Sequence, residues 1–428
     1  MKTVAIATLG CKTNQFESAA MAEQLTKSGY RLIPFSQPAD IYIVNSCTVT
    51  AKTDAETRKL VRRARRLNPA ARIVATGCYA QVAPGELEQL PELDCVLGNS
   101  EKQKIALLVE SGGSSVADIA AETAAVPLEL SSFSEHTRAF LQVQNGCDAF
   151  CSYCIVPYAR GRSRSVPPAE IAAGIGRMAE GGHREVVLTG IHLGAYGLDL
   201  TPPVTLAGLV RGIATSGQVL RLRLGSIEPN ELDDDLLSFL AASPSACRHI
   251  HLPLQSGSDA VLTAMGRRYS RAFFRELVER CIRLMPDAFI AADVIAGFPG
   301  ESEEQFGETL QLITELPLAD LHVFPFSSRP GTAAAELPDH LPPAVVNERA
   351  RRLRELAAAK HAAYLENSIG TEQMMLGQSF DRVRGVVRGL SRTYLQVEYP
   401  GDERLLNREV TVRVEGLREG RCVGRLMS

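Results

Sequence analysis

The chain has no tryptophan, from which nothing follows for function, and no apolar run long enough to span a bilayer. It also lacks the apolar core and small-residue cleavage site of a signal peptide. Its start, Met1-Lys2-Thr3-Val4-Ala5-Ile6-Ala7-Thr8-Leu9-Gly10, reads as a strand running into a loop. A cytoplasmic, reducing location with no membrane partner is therefore expected. Ten cysteines are not expected to build a disulfide framework there, so metal ligation or catalysis is the first reading for them. A strong charge of one sign is missing too. With a net charge of −3, a polyanionic partner has to be held by local Lys/Arg clusters. At 428 residues the chain exceeds one compact core, and two or three domains are expected.

What is present is a strand–helix rhythm. Short, apolar, β-branched segments at 3–9, 40–46 and 72–77 alternate with helical patterns at 15–28 and 53–67. This predicts an α/β fold whose first part is a doubly wound parallel sheet covered by helices. The Ser/Ala-rich stretch 112–135 reads as a linker. Six further strands are expected at 139–144, 185–189, 220–224, 249–254, 289–295 and 321–326, as in a partial (β/α)6 barrel open on one side. A long helix at 343–365 leads out of it. From about residue 373 the pattern changes to alternating segments at 382–387, 393–399 and 409–414, the signature of a small antiparallel β-barrel. The expected domains are 1–111, 136–366 and 367–428, with 112–135 between the first two.

The most informative stretch is Gln144-Asn145-Gly146-Cys147-Asp148-Ala149-Phe150-Cys151-Ser152-Tyr153-Cys154. Three cysteines within eight residues can wrap one metal cluster. Three thiolates leave one iron of a cubane without a protein ligand, so that a small molecule can bind the metal directly. A structural zinc knuckle completed by a distant ligand is the bland alternative. The triplet directly follows the first expected barrel strand, where strand-end loops build active sites. Its spacing resembles the radical-SAM signature, in which the open iron chelates S-adenosylmethionine. That resemblance implies a carbon radical and a substrate attacked at an unactivated C–H bond.

Cys11, Cys47 and Cys78 are far apart in sequence but equivalent in position, each just after one of the three predicted N-terminal strands. The carboxyl ends of neighbouring parallel strands lie about 5 Å apart, so the three thiols converge on one edge of the sheet. Three unconnected small apolar residues at strand ends would read the same way. The segments Leu9-Gly10-Cys11-Lys12-Thr13-Asn14-Gln15, Asn45-Ser46-Cys47-Thr48-Val49-Thr50 and Ala75-Thr76-Gly77-Cys78-Tyr79-Ala80-Gln81 resemble the three cysteine motifs of the radical-SAM methylthiotransferases. Leu188-Thr189-Gly190-Ile191-His192-Leu193, Leu254-Gln255-Ser256-Gly257-Ser258 and Asp293-Val294-Ile295-Ala296-Gly297-Phe298-Pro299-Gly300-Glu301 also fit that family.

The resemblance covers nearly the whole chain, and the tail is similar to the family's RNA-binding TRAM domain. It implies two 4Fe-4S clusters, an auxiliary one on Cys11, Cys47 and Cys78 and one on Cys147, Cys151 and Cys154 that binds S-adenosylmethionine (SAM). It further implies an electron donor such as flavodoxin or ferredoxin. One SAM would methylate sulfur held at the auxiliary cluster and a second would supply the radical. Family substrates are prenylated adenosine in tRNA, threonylcarbamoyladenosine in tRNA, and a ribosomal-protein aspartate. The motifs around Cys11 and Cys147 look most like the threonylcarbamoyladenosine enzymes, which implies 2-methylthiolation next to the anticodon. A non-catalytic iron–sulfur RNA-binding protein is the reading from a different class.

Thr189, Gly190, Ser226, Gln255, Asp293 and Gly297, at or near strand ends, are the candidates for lining the cofactor. The basic helix carrying Arg58, Lys59, Arg62, Arg63, Arg65 and Arg66 could grip phosphates or simply be a solvated face. Arg160, Arg162 and Arg164 are expected to face the substrate. Arg382, Arg384, Arg388 and Arg392 are expected to present a basic face to RNA, moderated by Asp402 and Glu403. Cys247, His249 and His251 read as lining of the barrel, since residues on one strand face are about 7 Å apart, too far for one ion. Cys95, Cys281 and Cys422 are expected to be buried small residues.

Overall fold

The computed structural model describes residues 1–131, 133 and 137–427. The N-terminal sheet is wholly parallel, in the order Arg31–Leu32, Thr3–Thr8, Ile41–Ser46, Arg72–Gly77, Cys95–Val96. Side chains alternate between its faces. Val4, Ile41 and Ile43 pack under Met21 and Leu25 of the helix Lys12–Lys27 and under Ile105 and Val109. Ala5, Tyr42 and Val44 face Val61 and Ala64 of the helix Ala51–Leu67 on the other side. Both faces are covered, which is why each strand reads as a nearly continuous apolar run. Thr50 and Thr53 form the capping box that starts the second helix. The first helix begins at Lys12, earlier than the periodicity predicts, with Cys11 at its N-cap and no side-chain cap bond.

Six parallel strands follow in two three-stranded sheets. Arg138–Gln142, Glu185–Thr189 and Arg221–Leu224 form one; His249–Gln255, Phe289–Ala296 and Asp320–Pro325 form the other. Single bridges at Leu222–Ala246 and Ser226–His251 join the two into a partial barrel. Among the described residues the first and last of the six strands do not pair, so the barrel is open on that side. One continuous apolar core fills the space between strands and outer helices, and the long helix Pro343–Asn367 carries the chain onward.

The tail is a closed five-stranded barrel, ordered Glu372–Asp381, Val386–Ser391, Gln396–Pro400, Arg421–Leu426, Glu409–Arg418. The strand expected at 382–387 starts only at Val386. Asp381 accepts hydrogen bonds from the amides of Val383 and Arg384 and folds them into a turn. This barrel seals the floor of the six-stranded one. Tyr394, in its turn after Ser391, lies 4.4 Å from the His249 ring and beneath the Arg223 guanidinium at 5.1 Å. Of the stretch expected to be a linker, Ser115 is hydrogen-bonded to the sheet edge, and Ile119 and Leu130 are buried. Its positions 132, 134 and 135, and the expected barrel start at 136, lie outside the described residues. No helix among the described residues is long and apolar enough to cross a membrane.

Candidate metal and cofactor centre

Strand register brings the N-terminal cysteines together. Thr8 pairs with Asn45 and Ser46 with Gly77, so the loops bearing Cys11, Cys47 and Cys78 leave adjacent strands on one edge. Gly10 and Gly77, each preceding a cysteine, take positive φ values of +94° and +97°. A side chain on Gly10 would lie 2.8 Å from Cys47 Cβ and 2.9 Å from its Sγ, and one on Gly77 would strike the backbone of Ser46. The glycines are thus needed for the thiols to approach. Cys47 and Cys78 are buried and Cys11 is exposed. Burial, and then the neighbouring Cys78, push the Cys47 thiol up to about 11. A thiol placed like that of Cys47 stays protonated unless a cation takes the charge, which is what a metal cluster provides.

Behind them sits a buried polar knot that sequence reasoning misassigned. Arg160 is wholly buried rather than facing a substrate. Its Nε donates to Cys78 Sγ at 3.2 Å, and its other nitrogens donate to Glu17 and to the Asn14 side chain. Lys102 donates to the same Glu17 at 2.5 Å. Burial alone would raise the Glu17 carboxyl, but the two cations outweigh it and hold it at about 2. Arg164 is buried as well, bonded to the carbonyl of Arg160 at 2.8 Å, and only Arg162 is open to solvent. The alternation of an exposed residue between two buried ones carries no signal in a basic Arg-x-Arg-x-Arg run.

The second cysteine loop begins where Gln144–Asn145 pairs with Arg164–Ser165. Gly146, at φ +76°, lies so close to the carbonyl of Arg162 that no side chain fits there. Backbone bonds from Cys147 to Gly161, Ser152 to Met265 and Cys154 to Cys151 hold the loop. Ala149 N–H donates to Cys147 Sγ at 3.4 Å, and Arg267 donates to Cys151 Sγ at 3.3 Å. His192 Nδ1 lies 3.5 Å from Cys147 Sγ, with Glu231 2.7 Å from its other nitrogen. Burial pushes the Cys154 thiol up to about 12. Each loop therefore combines three thiols with at least one cationic donor aimed at sulfur, a donor set suited to an iron–sulfur cluster.

The two loops are joined. Thr13 lies 3.5 Å from Thr189 through their hydroxyls. Arg329, after the last barrel strand, donates to Thr48 at 2.8 Å and to Asp54 at 2.5 Å. A cavity of about 200 Å³ has Cys154, Gln255 and Asp293 on one wall and Val49 and Thr50, next to Cys47, on another. Gln255 holds φ +66° there. Ser226 bonds to His251 at 2.7 Å, and His251 in turn to Asp293 at 2.8 Å. Thr189 and Gly190 instead lie against Thr13 and Gln144 respectively, and Gly297 packs on Val346 of the long helix. Cys95, Cys281 and Cys422 are buried, as expected, and Cys247, read as barrel lining, is buried too.

A six-stranded open barrel with a three-cysteine loop at its first strand end belongs to the radical-SAM class, and residues 141–313 match the model of the Radical SAM superfamily. The preceding residues 3–98 match a model described as an uncharacterized protein family, UPF0004. The fold resembles that of the radical S-adenosylmethionine methyltransferase TsrM from Kitasatospora setae, with TM-score 0.54 and 16% identity over 76% of this chain and 74% of that one. Among curated relatives, threonylcarbamoyladenosine tRNA methylthiotransferase MtaB of Bacillus subtilis is 36% identical over 97% of this chain and 94% of its own length. The tRNA-2-methylthio-N(6)-dimethylallyladenosine synthase of Geobacter metallireducens is 34% identical over 96% of both chains. The chain belongs to the radical-SAM methylthiotransferases, enzymes that use SAM and carry two 4Fe-4S clusters.

Proposed function

We propose that the protein methylthiolates C2 of N6-threonylcarbamoyladenosine next to the anticodon of tRNA. The observation that carries this reading is a cavity shared by Cys154 of one three-thiol loop and by Val49 and Thr50, which follow Cys47 of the other set, in a chain similar over nearly its whole length to MtaB. Cys11, Cys47 and Cys78 would hold the auxiliary cluster; Cys147, Cys151 and Cys154 would hold the cluster that binds SAM. Bound there, the clusters and SAM supply a carbon radical for C–H abstraction and a methylated sulfur for the substrate. The protein's part is to hold two centres that each keep one iron open, at fixed separation, to tune their sulfurs with Arg160 and Arg267, and to keep water from the radical. Gln255 and Asp293, which line that cavity, would form the SAM wall; Ser226 supports it through His251 and Asp293, while Thr189, Gly190 and Gly297 pack beside it on Thr13, Gln144 and Val346.

The tail barrel would bind the anticodon arm. Arg384, Arg388 and Arg421 share the single carboxylate of Glu398, leaving positive charge in excess for phosphates. Arg382 and Arg392, by contrast, are each paired, with Glu403 and Glu409. A reducing protein of the flavodoxin or ferredoxin type and a cytoplasmic location complete the reading.

Mass spectrometry of tRNA nucleosides from a deletion strain tests the proposal. Loss of 2-methylthio-threonylcarbamoyladenosine, restored by the gene and not by a Cys147→Ala copy, is expected. Loss of the methylthio prenyladenosine instead would move the assignment to the substrate of the Geobacter relative.

A further inference from the structure

The basic helix Ala51–Leu67 carries seven cations against two carboxylates, in a chain whose net charge is −3. In sequence the seven look alike, and the structure sorts them by face. Thr57, Val61 and Ala64 are buried on the side that meets the N-terminal sheet. Arg58, Arg62 and Arg65, at i, i+4 and i+7, form one flank beside the segment that follows Cys78. Arg58 donates to the Tyr79 hydroxyl at 2.7 Å, and Arg62 lies 3.8 Å from Glu92. Arg65 donates to Asp94 at 2.7 Å and to the carbonyls of Pro69, Ala71 and Glu92. These three cations are already engaged within their own domain.

Lys52, Lys59, Arg63 and Arg66 recur with the helical period on the side opposite the sheet, and all four are exposed. Lys59 has Glu56 at 3.3 Å, while Lys52, Arg63 and Arg66 have no hydrogen bond or ion pair among the described residues. The stripe spans about 21 Å at 1.5 Å per residue. It begins at the reaction chamber. Thr50, which caps the helix, and Ser327, which accepts from the Ala51 amide at 3.1 Å, both line the cavity shared with Cys154. Apart from Ala51, no exposed position of this helix is apolar, so the face lacks the aromatic and aliphatic anchors of a protein interface. A solvated helix face ordinarily mixes charges of both signs. Here one carboxylate meets four cations, and like charges at i, i+3 and i+4 repel one another. An extended polyanion laid along the stripe relieves that repulsion.

Resting on the tRNA reading above, we infer that Lys52, Lys59, Arg63 and Arg66 form a second RNA contact, a track for consecutive phosphates of the strand that enters the reaction chamber. The charges lie in a line and the near end of the line opens at the cavity, which suits a polyanion running lengthwise. Phosphate contacts carry no sequence information, so the track fixes where the anticodon arm lies rather than which base is modified. Its field also draws tRNA toward the chamber independently of the tail barrel.

The test is binding of fluorescent full-length tRNA bearing threonylcarbamoyladenosine to the anaerobically reconstituted full-length protein over a series of salt concentrations. Lys52→Ala combined with Arg63→Ala and Arg66→Ala should weaken binding about tenfold or more at low salt. It should also flatten the dependence of log affinity on log salt by about 2 to 3. Arg63→Lys with Arg66→Lys should keep the wild-type slope, because charge is what the track supplies, and Arg62→Ala on the engaged flank should keep it too. Should the triple variant fail to load iron, the single exposed change Arg63→Glu carries the test, with a slope flatter by about 1 or more. An unchanged slope in these variants overturns the proposal, and so does an Arg62→Ala slope as flat as that of the triple variant. Wild-type tRNA binding by the triple variant, with loss only of the SAM cleavage driven by flavodoxin, also overturns it and gives the stripe to an acidic electron donor. Failure of the substrate reading looks different, with wild type binding tRNA steeply in salt yet adding no methylthio group to threonylcarbamoyladenosine.

Discussion

Replacing Arg160 by methionine is the sharpest probe of how the two halves are coupled. The guanidinium is wholly buried, bonds to Cys78 Sγ at 3.2 Å, and shares Glu17 with Lys102. Holding the Glu17 carboxyl at about 2 instead of its ordinary 4.5 corresponds to roughly 3 kcal/mol of folding stability at neutral pH. That agrees with the roughly 3–5 kcal/mol lost when one partner of a buried pair is removed. Because the folded value is depressed, this stability is fully present above pH 4.5 and disappears as pH falls through about 2. Without Arg160 only Lys102 opposes the effect of burial, so the carboxyl rises and acid unfolding moves to higher pH. Urea melts at pH 7 and pH 4, with Arg160→Lys alongside, read this directly. The reduction potential of the auxiliary centre should also fall, since a donor to its sulfur is lost. A loss below about 1 kcal/mol with the acid limb unmoved would refute the argument.

Three further outcomes are expected. Cys47→Ala should lose about half of the iron and still cleave SAM, whereas Cys147→Ala should lose a similar share and all SAM cleavage, as read by iron assay and 5′-deoxyadenosine release. Gly10→Ala, forced to put a methyl group 2.8 Å from Cys47 Cβ at φ +94°, should behave like Cys47→Ala in iron content despite keeping every thiol. Arg384→Ala with Arg388→Ala should weaken stem-loop binding and flatten its dependence on log salt by about 2, because each phosphate contact contributes close to one. An unchanged slope would remove the tail barrel from the interface.

The cysteines were legible because backbone geometry, rather than side-chain packing, places them. A residue just after a parallel strand must emerge at the sheet's carboxyl edge, whatever else surrounds it. Strand positions followed for the same reason, from apolar runs with β-branched residues. The fate of Arg160 was not legible. Exposed and buried arginines look alike in sequence, and only the three-dimensional meeting with Glu17 and Cys78 makes burial affordable. His192 and Arg267 were likewise hidden, since their roles depend on contacts with Cys147 and Cys151 across 45 and 116 positions of chain. The start of the first helix was misjudged because Cys11 is no ordinary N-cap residue.

These hidden contacts matter to the chemistry because two centres that act on one substrate must keep their spacing. The cysteine loops belong to different sheets, and loops alone would let that spacing drift. What ties them is a set of buried polar links: Arg160 from the barrel to Cys78 and Glu17, Asn99 to the carbonyl of Ala159 at 2.7 Å, and Arg329 to Thr48 and Asp54. Charged links of this kind contribute little net stability over apolar packing, yet each is satisfied in only one relative arrangement of the two sheets. Apolar surfaces tolerate sliding that a guanidinium fork does not. The buried arginines thus convert two separately folded thiol edges into one reaction chamber.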